Sequence, residues 1–511
     1  MTGALRRITL VFLLLGGWEA FARLGPIGTL VSGPGAIATH IVDNAALLGR
    51  ATIETSVNAA WGFVWGNLAA MVLAAVIMLV PRSERALSAL ALLVFCVPLI
   101  ASGPILRVLF GPGQGPQITL AALAVYYTTL LALLVGLRAV SQNWTDLMRV
   151  YGRGALSTLV RVRARASLPY LFVGLQISAP AALLGAMIGE FTGAERGLGV
   201  LTLRAMRGLD TDGTWTLALI AAMVAMGAYV LTGKLGEWLV GYKPVILLSA
   251  PKVSAAKTVW ARLAEAAFIA ALILTLWQVS MDAFDLNRFF AKRPGDVWMF
   301  LVNPQNRDTL LSALFETLSF ALPGYLAGLA LGAALAAALV LWPPLSRATM
   351  PVAVALRAVP IITTAPLLVL AFGRGLVGTM VVVAVMIFFP TFVACHQGLR
   401  QTPGQTVELF KSYGAGRWQL LRAAQIPAML PAFFASARMA VPAALLAVTT
   451  VEWLATGKGI GVLMAMTAST SNYSMLWSCV AAVAVVAVAF YTLVATLERA
   501  VLRIYASEQV T

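Results

Sequence analysis

The chain has 511 residues, 60% of them hydrophobic and 11% charged, with a mean hydropathy of +0.88. A water-soluble domain cannot bury that much apolar surface, and a β-barrel would show short alternating segments in place of these continuous apolar runs. The net charge of +16 gathers in short loops, as the orientation of a membrane protein requires, so it gives no support to nucleic-acid binding.

In chain order, the first apolar run covers residues 5–23, where Arg6-Arg7 and Ala20-Phe21-Ala22 imitate a cleaved signal peptide. A similar run, ending in Leu276-Trp277-Gln278 against Gly17-Trp18-Glu19, opens the second half of the chain. An internal copy cannot be a leader, so 5–23 reads as a membrane helix. Runs near the roughly 20 residues that cross a bilayer follow at 57–80, 86–109, 117–137, 168–190 and 214–240. After a linker at 241–258, carrying Lys243, Lys252 and Lys257, a second set lies at 259–281, 313–341, 348–372, 376–397, 429–453 and 474–497. Cys96, Cys395 and Cys479 form no CxxC pair. With only His40 and His396 beside them, they read as packing or surface residues with no metal site.

The two sets are copies. Sliding the sequence by 262 positions puts Glu54-Thr55 on Glu316-Thr317, Val97-Pro98 on Val359-Pro360, Gly136-Leu137-Arg138 on Gly398-Leu399-Arg400, and Glu190 on Glu452. Shared apolar composition cannot align Pro, Gly, Arg and Glu at one offset. The expected fold is therefore all-α and polytopic, with 12 transmembrane helices in two six-helix repeats, 1–240 and 259–511. An even span count makes the repeats parallel, not inverted. Arg6-Arg7, Arg82, Arg85, the arginines from Arg138 to Arg165, Arg499 and Arg503 fall on one side, the cytoplasmic one. The segment 284–312 fits less well, since it places Arg288, Lys292, Arg293 and Arg307 on the other side, partly offset by Asp285, Asp296 and Asp308.

The long segment between the fourth and fifth spans carries the functional signal. In the second copy Gly404 and Gly414 bracket a short helix, Gly416 precedes an amphipathic one with Trp418, Leu421 and Ile426, and Pro427 and Pro431 begin the next span. Such a segment suits docking into a groove on another protein, or lies as a basic helix on the membrane surface. Glu408, Gly414, Pro427 and Pro431 stand at the spacing of the coupling motif of type I ABC importer permeases, which this segment resembles. Leu356-Arg357-Ala358-Val359-Pro360, Phe372-Gly373-Arg374-Gly375 and Phe388-Phe389-Pro390 resemble the branch that imports sulfonates, taurine and nitrate. In the first copy Asp146, Gly152 and Pro169 keep three motif positions. Arg165 replaces the first proline, Ala155-Leu156 replaces Arg417-Trp418, and Gln176 stands where Arg438 is. The second loop is thus expected to dock more firmly than the first.

The resemblance implies a bacterial inner-membrane transport subunit with no enzymatic activity, one fused chain per transporter. Its implied partners are a cytoplasmic ATPase dimer, which would bind the ATP and Mg²⁺, and an external substrate-binding protein. The chain has no GxxxxGK[ST] loop, because Gly457-Lys458-Gly459 lacks the hydroxyl residue. A secondary transporter with two parallel six-helix halves has the same span count but needs charges buried at mid-membrane, and Arg438 is one such charge in spans otherwise poor in carboxylates. Pathway or gate residues are expected at Pro98 and Pro360 in the third spans, and at Arg438 and the mid-helix prolines Pro180 and Pro442 of the fifth. Glu190 and Glu452 lie ten residues on, near the outer end, either gating the pathway or sitting as solvated interfacial carboxylates. With both termini and the linker cytoplasmic, Ala250→Cys should resist a membrane-impermeant maleimide in intact cells. Strong labelling from outside would overturn this topology.

Overall fold

A computed structural model describes residues 2–25, 31–111, 113–241, 259–342, 365, 368–369, 371–373 and 375–505. The expected linker from 242, most of the expected span at 348–372, and Pro360 lie outside the described residues. In the first half the helices are α1 (Thr2–Leu24), α2 (Pro34–Asp43), α3 (Ala45–Leu79), α4 (Glu84–Cys96), α5 (Leu99–Phe110) and α6 (Gly115–Arg138). Next come α7 (Gln142–Val150), α8 (Ala155–Thr158), α9 (Ala164–Phe191), α10 (Leu198–Arg207) and α11 (Thr211–Val240). In the second half they are α12 (Val259–Ala283), α13 (Pro294–Val302), α14 (Pro304–Leu341), α15 (Leu376–Arg400) and α16 (Gly404–Ser412). The chain continues through α17 (Arg417–Leu420), α18 (Ile426–Val451), α19 (Ile460–Ser469) and α20 (Tyr473–Tyr505). Among the described residues there is no strand, and nine helices are long and apolar enough to cross a membrane, or ten if one bent pair counts as a span.

That bent pair corrects the expectation of a straight span at 86–109. The chain breaks there into α4 and α5, which meet at 93°. Pro98 has no N–H and its ring drives the preceding residue out of the helical region; Val97 accordingly lies at φ −66°, ψ 127°. The Pro98 carbonyl then starts α5, accepting from Ala101 N–H at 3.1 Å and Ser102 N–H at 3.2 Å.

Small residues let the long helices touch backbone to backbone. A Cβ built on Gly62 of α3 would lie 2.7 Å from the Ile118 carbonyl oxygen of α6, and one on Gly66 would lie 2.5 Å from that of Ala122. At the equivalent crossing of α14 on α15, Gly324 and Gly328 stand against the Met380 and Ala384 carbonyls at 2.8 and 2.7 Å. This spacing of glycines four apart is how helices associate where lipid removes the usual hydrophobic drive. The first helix of each half docks on the last of the same half: Trp18 lies 6.0 Å from Trp215, and Trp277 stacks on Trp477 at 5.4 Å. The two runs noted at the start of each copy are therefore equivalent in packing as well as in sequence.

The halves interlock. Cys96, Ala101 and Ile105, from either side of the break, are buried in one cluster with Leu310, Leu445, Ile460, Met464 and Leu476 of the second half. All three cysteines are free and buried. The cations that fitted the charge rule poorly are held in place: Arg293 is buried, pairs with Asp282 at 3.0 Å and donates to the carbonyls of Leu286 and Ala291 at 3.1 Å, while Arg307 pairs with Asp308 at 3.5 Å.

The seam between the halves carries a buried ion pair. Arg438 of α18 meets Glu498 of α20 at 2.8 Å and lies over the Tyr491 ring, 6.0 Å from its centroid. The Tyr491 hydroxyl bonds that of Tyr127 in the first half, and Tyr127 stacks on Phe95 at 4.5 Å. Arg438 is therefore a neutralised structural charge, tied into the contact between the halves. At the equivalent place in the first half both charges are gone: Gln176 donates to the Tyr229 carbonyl at 3.3 Å, and Gly236 stands where Glu498 is. A buried charge left without its partner costs about 3 kcal/mol or more, whereas removing both is far milder. Glu498→Ala should therefore lower thermal stability in detergent sharply, and adding Arg438→Gln should recover most of the loss; additive losses would contradict the pairing.

Candidate functional site

The loops between the fourth and fifth long helices of each half share one backbone. Helix α7 ends where Gly152 takes φ +62°, and α16 ends where Gly414 takes φ +71°. In each, two N–H groups turn back onto the last carbonyls: Gly152 to Arg149 and Arg153 to Met148 at 2.9 Å, Gly414 to Lys411 at 2.9 Å and Ala415 to Phe410 at 3.0 Å. A left-handed residue at this place closes a helix cheaply only as glycine, so these two glycines are fixed by the turn. Nothing lies within 4 Å of the Cβ position of either one.

Beyond the turn, the expected separate amphipathic helix does not form. The chain passes through α8 or α17 and one π-helical turn, Leu159–Arg163 or Leu421–Gln425, directly into α9 or α18. Pro427 lies at the first positions of α18 and Pro431 inside it, with Pro169 inside α9. Arg165 stands where Pro427 does, yet the π turn is the same, so proline is not its cause. Leu421, taken as part of the docking face, is 1% exposed and packs inward. Arg417 donates to the Leu341 carbonyl at 3.3 Å, and Asp146 pairs with Arg149 at 3.0 Å, while Glu408 is exposed.

Both loops leave large apolar side chains in the open. Leu409, Tyr413 and Trp418 are exposed in the second, and Leu147, Tyr151 and Leu156 at equivalent positions in the first. Leu156 is 62% exposed against 64% for Trp418, and the first loop adds the exposed Trp144. The expected weakness of the first loop therefore has no counterpart in its backbone or its apolar face.

At the far end of α9 and α18, roughly 40 Å away by helical rise, each half carries a buried carboxylate. Glu190 accepts from the Thr55 hydroxyl at 2.7 Å and the Gly199 N–H at 2.6 Å, and Thr55 accepts from the Leu198 N–H at 2.8 Å. Glu452 has the same donors on a single oxygen: Thr317 at 2.9 Å and Gly461 at 2.8 Å both reach Oε2, Oε1 has no partner among the described residues, and Ile460 donates to Thr317 at 2.8 Å. Each carboxylate thus ties three elements together and satisfies the first N–H groups of a short helix, α10 or α19, where negative charge is favourable. Gly197 and Gly459, at φ +128° and +91°, let the backbone pass against the carboxylate, which a Cβ there would strike. Both glutamates are 1% exposed, so the solvated-carboxylate reading is wrong for both.

The short helices enclose a cavity of about 1110 Å³ between the two halves. Pro104, Arg107, Phe191, Met206, Arg207 and Thr211 line it from the first half, with Val369, Trp453, Leu454, Ser469 and Tyr473 from the second. Among the described residues Pro98, Pro180, Pro442, Glu190, Glu452 and Arg438 do not line it. The carboxylates act one step back, through the helices they hold. Sequence reading missed α10 and α19 because ten residues are too few for a span. With Thr317→Val and Glu452→Gln together, buried bonds worth 1–3 kcal/mol each are lost. Amide exchange in Ile460–Ser469 should then rise about tenfold or more by mass spectrometry; unchanged exchange would remove the clamp.

Comparison with known proteins follows the duplication. The family described as binding-protein-dependent transport system inner membrane component matches residues 66–241 and again 328–503. The chain is 28% identical over 226 residues to a probable ABC transporter permease protein of Haemophilus influenzae, covering 92% of that protein and 44% of this chain. It is 31% identical to the riboflavin transport system permease protein RibX of Chloroflexus aurantiacus, over 61% of that protein and 32% of this chain. It is 36% identical to the formylaminopyrimidine transport permease protein ThiX of Halalkalibacterium halodurans, over 63% of that protein and 29% of this chain. The chain, a multi-pass transport subunit and not an enzyme, therefore belongs to the family of binding-protein-dependent transport system inner membrane components and carries two copies of its domain in tandem.

Proposed function

We propose that this one chain forms the whole translocation pathway of an ATP-driven importer in the bacterial inner membrane. In this reading it spans the membrane twelve times, as parallel repeats 1–240 and 259–511 joined by a cytoplasmic linker at 241–258, with both termini cytoplasmic. The two loops ending at Gly152 and Gly414 dock on a cytoplasmic ATPase dimer that binds the ATP and Mg²⁺. An external binding protein delivers a small solute to the opposite end, above the cavity between the halves. The observation that carries the reading is the pair of loops: matching backbones, matching left-handed glycines and exposed apolar side chains at matching positions, at the end of the bundle richest in arginine. The linkage runs through α9 and α18, continuous from each loop to the clamp that holds the cavity wall. The relatives' names point to different solutes, so the sulfonate, taurine or nitrate expectation extends here only to a small sulfur- or nitrogen-containing compound. The buried charges a secondary transporter would need for ion coupling all have structural partners here: Arg438 pairs with Glu498, and Glu190 and Glu452 are held by Thr55 and Thr317.

The test is a pair of double variants, Leu409→Ala with Trp418→Ala and Leu147→Ala with Leu156→Ala. Large apolar anchors commonly supply a few kcal/mol at an interface, so each should lower both the co-purified ATPase and solute uptake about fivefold or more at unchanged membrane abundance. Unchanged co-purification and uptake in both would remove the docking role, and loss in the second loop alone would restore the unequal coupling expected from the sequence.

A further inference from the structure

Among the described residues, every residue that lines the central cavity from the second half has its equivalent lining it from the first. The cavity thus lies where the two copies face each other, and its two walls are chemically different. Phe191 corresponds to Trp453 and Thr211 to Tyr473, so the second wall is the more aromatic. Arg107 stands where the second copy has Val369, and Arg207 where it has Ser469. Both cations therefore belong to one wall.

Neighbouring positions changed together with Arg107. Gly193 takes φ +124°, and a Cβ on it would strike the Arg107 guanidinium. The second copy has Ala455 there and Leu454 in place of Thr192. The first half thus has no side chain where its guanidinium rests. Arg107 also lines an adjoining polar cavity of about 480 Å³ with Glu54, Gln114 and Arg196, so it stands at the boundary of two water-accessible spaces. Neither Arg107 nor Arg207 has an ion-pair partner among the described residues. Two carboxylates share these spaces, Asp210 in the wall of the central cavity and Glu195 in that of the adjoining one; Asp210 accepts from the Gly213 N–H at 2.9 Å to cap α11, Glu190 is in its clamp, and Glu54 accepts from Gln114 at 2.7 Å. Charged groups in a membrane protein face water-filled routes and mark what passes through them. A chamber of about this size that mixes apolar and aromatic side chains with charged and hydroxyl groups suits a small molecule having both an apolar and a polar part.

We propose that the central cavity binds its solute in one orientation, as a small organic anion with a planar apolar body. Arg107, with Arg207 beside it, takes the anionic group, and Trp453 and Tyr473 take the body. This rests on the transport reading above and assigns to the first copy the polar end of recognition, and to the second the apolar end.

The probe pair is 4-fluorobenzenesulfonate and its neutral isostere 4-fluorobenzenesulfonamide, followed by ¹⁹F NMR line broadening on the full chain with its ATPase in nanodiscs. Loss of a charge-assisted hydrogen bond changes affinity about tenfold or more. Arg107→Val, which places there the residue of the second copy, should weaken the anion by that factor and leave the amide unchanged, and Arg107→Lys should retain most of the anion binding. Trp453→Ala should weaken both probes. Equal weakening of both probes by Arg107→Val, no effect on either, or no wild-type preference for the anion would overturn the assignment. An ATPase that stays bound in every variant keeps the transport reading intact in those cases, whereas an ATPase that never associates with the wild type fails that reading itself.

Discussion

A carboxyl group buried at the end of a membrane helix is costly unless hydrogen-bond donors reach it, because water is not there to serve it. In each half that requirement draws together a threonine on one long helix and the first N–H groups of a short helix, with the glutamate itself closing a second long helix. Glu190, Thr55 and Gly199 in one half, and Glu452, Thr317 and Gly461 in the other, are therefore the points from which the cavity wall hangs. Remove the clamp and α10 or α19 has nothing to fix its start. The glycines at 197 and 459 follow from the same constraint, since a side chain there would displace the carboxylate.

Duplication lets each half serve as a control for the other. Several interactions that hold the fold are kept by both copies: the clamp, the glycine crossings of α3 on α6 and of α14 on α15, and the left-handed glycines of the loops. Some of the differences between the copies fall in groups that touch. Arg438 and Glu498 are replaced as a pair by Gln176 and Gly236, and Arg107 and Gly193 correspond to Val369 and Ala455. Coupled changes of this kind are expected if a charge is costly unless answered by its neighbours. They also explain how the first half drifted in sequence while its loop kept the same backbone.

Much of this was legible in the sequence. The offset of 262 residues, most of the spans, the bracketing role of Gly414 and the pairing of the two Trp-containing first helices all come from local pattern. The break at Val97-Pro98 was hidden because the apolar run continues through it, and hydropathy does not register a missing N–H. The function of Glu190 was hidden because its partner Thr55 is 135 residues away in the chain. The two loops differ in sequence at Arg-Trp against Ala-Leu; in the structure Trp418 and Leu156 are exposed to almost the same fraction, although the tryptophan is the larger side chain. The cavity could be located only once the two copies were placed face to face.

The central claim is that one polypeptide supplies both halves of the pathway, as the shared cluster around Cys96, Ala101 and Ile105 and the cavity between the halves require. Native mass spectrometry of the complex extracted with its ATPase tests this directly. One 54.0 kDa chain with two ATPase subunits is the composition expected; two copies of this chain in each complex would contradict it.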